Sequence, residues 1–128
     1  MATEGMGFKW TFKADSDMST RQFYFVKLTG GSAVEICSAT SGCIGILQNA
    51  PSAGQGAEVM LWGVSNISSD GALTLGNFIG PSSDGQGASY TTGTDAGKHY
   101  QGKCIKGTTA AAGIATVVLS PVATIIAS

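Results

Sequence analysis

Two neighbouring stretches of the sequence carry residue types that could do chemistry, and each lacks a part that the chemistry needs. His99 and Cys104 have the side chains of a base and a nucleophile. Their separation of five residues places them on opposite faces of a regular strand. The preceding stretch, residues 93–98 (GTDAGK), has one residue too few between its glycines for a phosphate-binding loop. His99 also stands where that loop needs a Ser or Thr to contact magnesium, so neither motif is complete.

Metal-binding patterns fail in the same way. Residues 15–19 (DSDMS) begin like a calcium loop, but Thr20 stands where the loop turns on Gly, and Val26 where a bidentate Glu is required. His99 is the only histidine, which excludes sites that need two, such as HExxH zinc chemistry. We therefore predict no catalytic residue, no metal site and no cofactor, and a protein that is not an enzyme.

The three cysteines are odd in number and form no CxxC pair, which predicts neither a disulfide framework nor a thiolate zinc site. Cys43 and Cys104 lie in strand-like segments, where a free cysteine packs as a small hydrophobic residue. The third, Cys37, has no assigned role. We expect free thiols and a reducing compartment, namely the cytoplasm of a host cell, since the N-terminus shows no secretory signal pattern.

Charge and hydropathy exclude two classes of partner. Charged residues make up 12% of the 128 residues, about half the usual share, and the net charge is −1. Nucleic-acid binding requires clustered basic residues, and the cluster of Lys98, Lys103 and Lys106 is typical of a solvated strand face. The longest apolar stretch, residues 114–127, is interrupted by polar residues and Pro121 and is shorter than the roughly 20 residues of a spanning helix. We expect neither a nucleic-acid nor a membrane partner.

From Gln22 onward the chain alternates short apolar segments with turns rich in Gly, Ser and Pro. The clearest unit is residues 43–63, which read strand, turn and strand. This spacing predicts an all-β fold, a small barrel or sandwich of short strands. The predicted strands are residues 23–28, 33–37, 43–48, 57–62, 64–67, 72–75, 77–79, 89–92, 99–105, 114–119 and 122–126.

The first twenty residues differ in their residue pattern from the rest of the sequence. Phe8, Trp10 and Phe12 alternate with polar residues, which is strand periodicity with one aromatic face. A polar break at residues 15–20 separates this segment from the remainder. It is either the first strand of the core or an arm that pairs with another subunit or protein. We assign residues 1–20 as an extended N-terminal arm and residues 21–128 as a single β domain, and expect that domain to fold without residues 1–16.

Residues 17–28 (DMSTRQFYFVKL), 45–59 (GILQNAPSAGQGAEV) and 63–64 resemble the small decoration, or cement, proteins of tailed-bacteriophage capsids. The similarity continues more loosely to residue 119 and consists of turn and strand patterns. It implies a compact β domain on the outside of an icosahedral head, often trimeric, that clamps neighbouring major capsid subunits together. No catalytic residue comes with the resemblance.

The resemblance therefore implies a structural virion protein on the capsid exterior, with the major capsid protein as partner and a homotrimer as its own assembly. We predict that Phe8, Trp10 and Phe12 contact the capsid or a sister subunit, and that Trp62 lies in the core or in the trimer interface. The alternative is a carbohydrate- or receptor-binding β module on a virion surface, in which exposed aromatic residues would contact the ligand.

Overall fold

The computed structural model describes residues 6–38, 42–90, 99–109 and 113–125. Within these ranges the chain forms β-strands, one 3₁₀ turn (Gly30–Ser32) and no α-helix, so none of the described segments is a helix that could cross a bilayer. The all-β prediction is confirmed. The strands are β1 (Met6–Ala14), β2 (Phe25–Thr29), β3 (Ala33–Ile36), β4 (Gly45–Leu47), β5 (Gly56–Ser68), β6 (Phe78–Pro81), β7 (Gly87–Tyr90), β8 (His99–Lys106) and β9 (Ile114–Ile125).

Two pairs of predicted short strands are single long strands. The segments predicted at 57–62 and 64–67 form β5, because Gly63 pairs with β1 on one edge and β9 on the other and is held in the sheet. Likewise, the segments at 114–119 and 122–126 form β9, which continues through Pro121. The strand predicted at 72–75 is reduced to one isolated bridge between Leu73 and Thr108.

Strands β1 to β5 close into a small barrel. β1 is antiparallel to β5 along most of its length and parallel to β3 at its last two residues, Lys13 and Ala14. The remaining pairs, β3 with β2, β2 with β4 and β4 with β5, are antiparallel. Each of the five strands has a partner on both sides over part of its length, so the ring is complete.

β5 is shared between the barrel and a second sheet, which runs β5-β9-β8-β6-β7. Gly63 and Val64 pair with both β1 and β9, so these two strands lie on opposite edges of β5. Met60 pairs with both β1 and β4, which also lie on opposite edges. It follows that β4 and β9 join the same edge of β5, one after the other. The 13 residues of β5 thus connect the two sheets.

Adjacent residues of the barrel strands enter two different cores. Val26, Leu47 and Val59 belong to one cluster. The residues next to them in the sequence, Phe25, Ile46 and Met60, belong to the other. Side chains alternate across a strand, so one set fills the barrel and the other packs between the barrel wall and the second sheet. The barrel cluster is Ala14, Met18, Val26, Val34, Leu47, Ala57 and Val59. The second cluster is Phe25, Cys37, Cys43, Ile46, Met60, Ile67, Leu73, Ile79, Cys104, Ala115, Val117 and Leu119.

Cys37 and Cys43 form a disulfide across the connection between β3 and β4. The prediction of free thiols is wrong for this pair and correct for Cys104, which is free and buried. The backbone N–H groups of Cys37 and Ile44 donate to the carbonyls of Phe25 and Val26, adjacent residues of β2. This brings the two Cα atoms to 5.7 Å, within bridging range. The inference of a reducing compartment therefore loses its basis.

The structure places Met6–Ala14 in the sheet of its own chain, as β1. Phe12 packs against the barrel cluster and Ala14 belongs to it. The expectation that a chain lacking residues 1–16 keeps a folded body is therefore revised, since the deletion would open the barrel ring. The division of the chain at residue 20 stays a prediction.

Candidate docking surface

The residues with catalytic or ligating side chains do not converge in the described ranges, which hold no group of three or more His, Cys, Asp or Glu arranged to bind a metal. Burial raises the pKa of the Cys104 thiol, and a backbone hydrogen bond from Lys106 opposes this in part. A buried, protonated thiol is a poor nucleophile. The Asp17 carboxylate accepts the backbone N–H of Ser19 at 3.1 Å. Residues 93–98 lie outside the described ranges.

Three large aromatic side chains meet on the surface of the β1–β5 ribbon, and we call Phe8, Trp10 and Trp62 the aromatic patch. The rings of Phe8 and Trp62 stack at 6.1 Å between centroids, and those of Phe8 and Trp10 are 6.4 Å apart. Their exposed fractions are 43% for Phe8, 57% for Trp10 and 48% for Trp62. Exposed aromatic clusters of this kind are typical of sites that bind another molecule.

The register between β1 and β5 creates the patch. Phe8 pairs with Trp62, and the register then shifts, so that Lys9 pairs with Met60 and leaves Leu61 as the additional residue. At Gly7 an added Cβ would lie 2.2 Å from the carbonyl oxygen of Trp62, so only glycine allows the two strands to approach this closely beside the patch.

The predicted contact residues separate into two groups. Phe8, Trp10 and Phe12 share one face of β1, as their alternation predicts. Phe12 is half-buried and packs against the barrel cluster, whereas Phe8 and Trp10 lie outside that cluster and are exposed. Trp62 lies outside the core of this chain, so the core alternative for this residue is wrong and its place in an interface stays a prediction.

The aromatic patch continues into the outer face of the second sheet. Trp62 and Val64 are two residues apart on β5 and share a face. Val64 pairs with Val118, Val118 with Lys103, and Lys103 with Phe78, which gives a row of side chains on one face across four strands. Lys103 is the one charged residue of this row, and its ammonium lies 5.3 Å from the centroid of the Phe78 ring. One row of side chains, apolar except for Lys103, therefore extends from β5 to β6 beside the aromatic patch.

Over residues 6–12, one edge of β1 has no strand partner among the described residues. β5 occupies one edge, and β3 joins the other only at Lys13 and Ala14. Residues 7–11 are exposed on both faces of the strand. The unpaired N–H and C=O groups along residues 6–12 can accept an additional strand from another molecule.

The sequence identified β1 as a candidate contact element but missed the outer face of the second sheet. Val118 and Lys103 are 15 residues apart and acquire a common face only when β8 pairs with β9. Trp62 and Val64 alternate with glycine and serine in the sequence. This alternation could have predicted the outer face, because it indicates that this part of β5 has one apolar face.

A closed five-stranded ring that shares its longest strand with a second sheet defines a compact all-β domain with two cores. No protein-family model matches the sequence, and no curated protein matches it. Among solved structures, the fold is similar to the crystal structure of the head fiber gp8.5 N base in bacteriophage phi29. The TM-score is 0.69 at 11% sequence identity, over 91% of this chain and 97% of that one. The two chains share a fold.

Proposed function

We propose that this protein is a structural, non-catalytic component of a tailed-phage virion that binds the outside of the icosahedral head. The observation that carries the proposal is the fold shared with a phage head fiber base along nearly the whole of both chains. The resemblance of residues 17–28 and 45–59 to capsid decoration proteins agrees with this proposal. In this proposal the protein cements neighbouring major capsid subunits.

The aromatic patch and the free edge of β1 are the proposed contact with the major capsid protein. Burial of exposed rings against a partner removes apolar area from water, and an extended segment added along residues 6–12 would satisfy the open backbone groups. A protein that binds the assembled shell but not its separate subunits stabilises the shell by mass action. In a homotrimer, three linked contacts would raise the effective concentration of each further one.

The proposal is tested with expanded phage heads purified without their surface proteins, mixed with this protein, sedimented, and imaged by electron microscopy. The wild type should coat the heads at regular positions. The double variant Phe8→Ser/Trp62→Ser should bind at least about tenfold more weakly, because hot-spot aromatic residues each contribute about 2 kcal/mol or more. Point variants are preferable to a truncation because β1 closes the barrel.

Leu75→Ser is the matched control, because Leu75 is 69% exposed and lies outside the aromatic patch. It should bind heads like the wild type. Heads that stay bare with folded wild-type protein would overturn the proposed function, and equal loss in both variants would overturn the assignment of the surface. The trimer is tested by light scattering, which should give a mass three times the 12.9 kDa of the chain.

A further inference from the structure

The open edge of β1 presents the backbone groups of every second residue. In an antiparallel ladder the N–H and C=O of one residue point to the same side, and successive residues alternate. Ala14 bonds toward β5, because its N–H donates to the Gln55 carbonyl and its carbonyl accepts the Gly54 N–H, both at 2.8 Å. The even-numbered residues of β1 therefore bond to β5, and the backbone groups of Lys9 and Thr11 face the open edge.

The residue opposite Thr11 gives the same assignment. Glu58 pairs with Thr11 in the register, but its N–H donates to Asn49 Oδ1 at 3.1 Å and its carbonyl accepts the Gln48 N–H at 2.7 Å. Both backbone groups of Glu58 thus point away from β1, so this is a non-hydrogen-bonded pair. The N–H and C=O of Thr11 are left for a strand on the other side of β1.

A strand added at this edge meets different side chains on its two faces. On one face lie Phe8 and Trp10, whose rings are exposed. On the other lie Lys9 and, at the end of the open edge, Lys13, and neither forms an ion pair within the described parts of the chain. Glu58 is on this second face, but it lies across β1 from the open edge. The edge therefore fits a strand with apolar residues on one face and acidic residues on the other.

A second copy of β1 does not fit this edge. The polar face of β1 consists of Gly7, Lys9, Thr11 and Lys13 and carries no carboxylate. Pairing of two such strands would add lysines to a contact that already has two, and like charges across a strand pair are destabilising. The occupant is therefore a segment of a different chain.

We propose that the open edge of β1 binds, as an antiparallel strand, an extended segment of the major capsid protein in which apolar and acidic residues alternate. This inference rests on the proposed function, which provides the partner. The apolar side chains pack beside Phe8 and Trp10, and the carboxylates lie beside Lys9 and Lys13. Paired residues share a face, so the backbone groups of the acidic residues bond to those of Lys9 and Thr11.

The test uses isotope-labelled protein and a peptide that alternates valine and glutamate over about seven residues, the length of the open edge. The dissociation constant should be about 0.1 to 1 mM, because a flexible peptide loses conformational freedom on binding. With peptide at about five times this constant, amide hydrogen exchange at Lys9 and Thr11 should slow about fivefold. The amides of Trp10 and Phe12, which already bond to β5, should change less.

The position of N-methyl groups on the peptide tests the register. N-methylation of the glutamates should abolish binding, because their N–H groups donate to β1. N-methylation of the valines, whose N–H groups point away from β1, should leave binding nearly unchanged. A peptide with lysine in place of glutamate should bind at least about fivefold more weakly. Lys9→Gln should weaken binding of the glutamate peptide about twofold, and Lys106→Gln, an exposed lysine on β8, is the matched control.

Unchanged exchange at Lys9 and Thr11, equal loss with both N-methylated peptides, or equal binding of the lysine peptide would each overturn the inference. Slower exchange at Lys9 and Thr11 with rising protein concentration and no peptide would also overturn it, because a second copy would then occupy the edge. Heads coated by a protein that binds no peptide would remove this inference and leave the proposed function intact. Bound peptide with bare heads would remove the proposed function instead.

Discussion

At the scale of single residues, the aromatic side chains of this protein divide by burial into those that hold the fold and those that face solvent. Phe25 is fully buried between the barrel and the second sheet, whereas Trp62 is half exposed and stacks on Phe8. The same residue class therefore has two energetic roles. The difference can be measured, because truncation of a core ring leaves a cavity and truncation of a surface ring does not.

Phe25→Ala should lower the free energy of unfolding by about 3 to 5 kcal/mol. Trp62→Ala should lower it by about 1 to 2 kcal/mol, since it removes one surface stacking contact and part of a buried area. Urea denaturation of both variants measures the two values. Equal losses would place Trp62 in the core, contrary to the structure.

The Cys104 thiol should resist alkylation in the folded protein. Burial raises its pKa above the ordinary thiol value, so the reactive thiolate is scarce at neutral pH. Because the folded-state pKa is the higher one, the neutral thiol contributes stability that is present below the unfolded-state pKa and lost as pH rises through the folded-state pKa. Iodoacetamide labelling from about pH 7 to pH 10, followed by mass spectrometry, should be slow until high pH. Labelling as fast as in urea would contradict the burial.

At the scale of elements, two features hold the strands in register: the disulfide between β3 and β4, and the close approach of β8 to β9. The disulfide closes a short loop and belongs to the second core. The close approach occurs at Gly102, where an added Cβ would lie 2.0 Å from the carbonyl oxygen of Val118. Each feature gives a prediction about the free energy of unfolding that can be checked against a control variant.

Reduction of the Cys37–Cys43 disulfide should lower the free energy of unfolding by about 2 kcal/mol, since it frees a loop of six-residue separation in the unfolded chain. Urea unfolding with and without a reducing agent measures this. The Cys37→Ala/Cys43→Ala variant should be insensitive to the reducing agent. Identical unfolding curves for oxidised and reduced wild type would argue against the bridge.

Gly102→Ala should destabilise the fold by about 1 to 3 kcal/mol, because the new methyl group forces β8 away from the Val118 carbonyl. Gly30→Ala is the control, since nothing lies within 4 Å of the corresponding Cβ position. Its unfolding midpoint should stay close to the wild type. A larger loss at residue 30 than at residue 102 would show that the pairing of β8 with β9 differs from the one described.

At the scale of the whole molecule, a low charge density and an exposed aromatic patch predict binding that depends little on long-range electrostatics. The net charge is −1, and the row from Val64 to Phe78 carries one charge, on Lys103. A surface of this kind is matched to a partner by packing and desolvation more than by charge attraction.

Binding to phage heads should therefore change by less than about threefold between 50 mM and 500 mM NaCl, a range over which screening removes most of the attraction between exposed charges. Cosedimentation at several salt concentrations measures this. Lys103→Gln should leave the salt dependence unchanged or weaker. A steep loss of binding with salt would indicate that charged contacts carry the affinity.

The sequence was sufficient for the fold class and for the aromatic face of β1, because both depend on local patterns. Turn residues between short apolar segments predict strands, and alternation at Phe8, Trp10 and Phe12 predicts one aromatic face. It was insufficient to predict that residues 57–62 and 64–67 form one strand. Gly63 would break an isolated segment, but it remains within β5 because strands pair with it on both edges.

The amino-acid sequence alone determined that this protein is all-β, carries few charges and lacks a complete catalytic motif, since these properties follow from composition and short-range spacing. Only the tertiary structure decided that Phe8 stacks on Trp62, that Cys37 bonds to Cys43, and that β1 closes a barrel. Each of these depends on the pairing of strands that are distant in the sequence, and no local pattern indicates which strands pair. The pairing is decided by the packing of side chains into both hydrophobic cores.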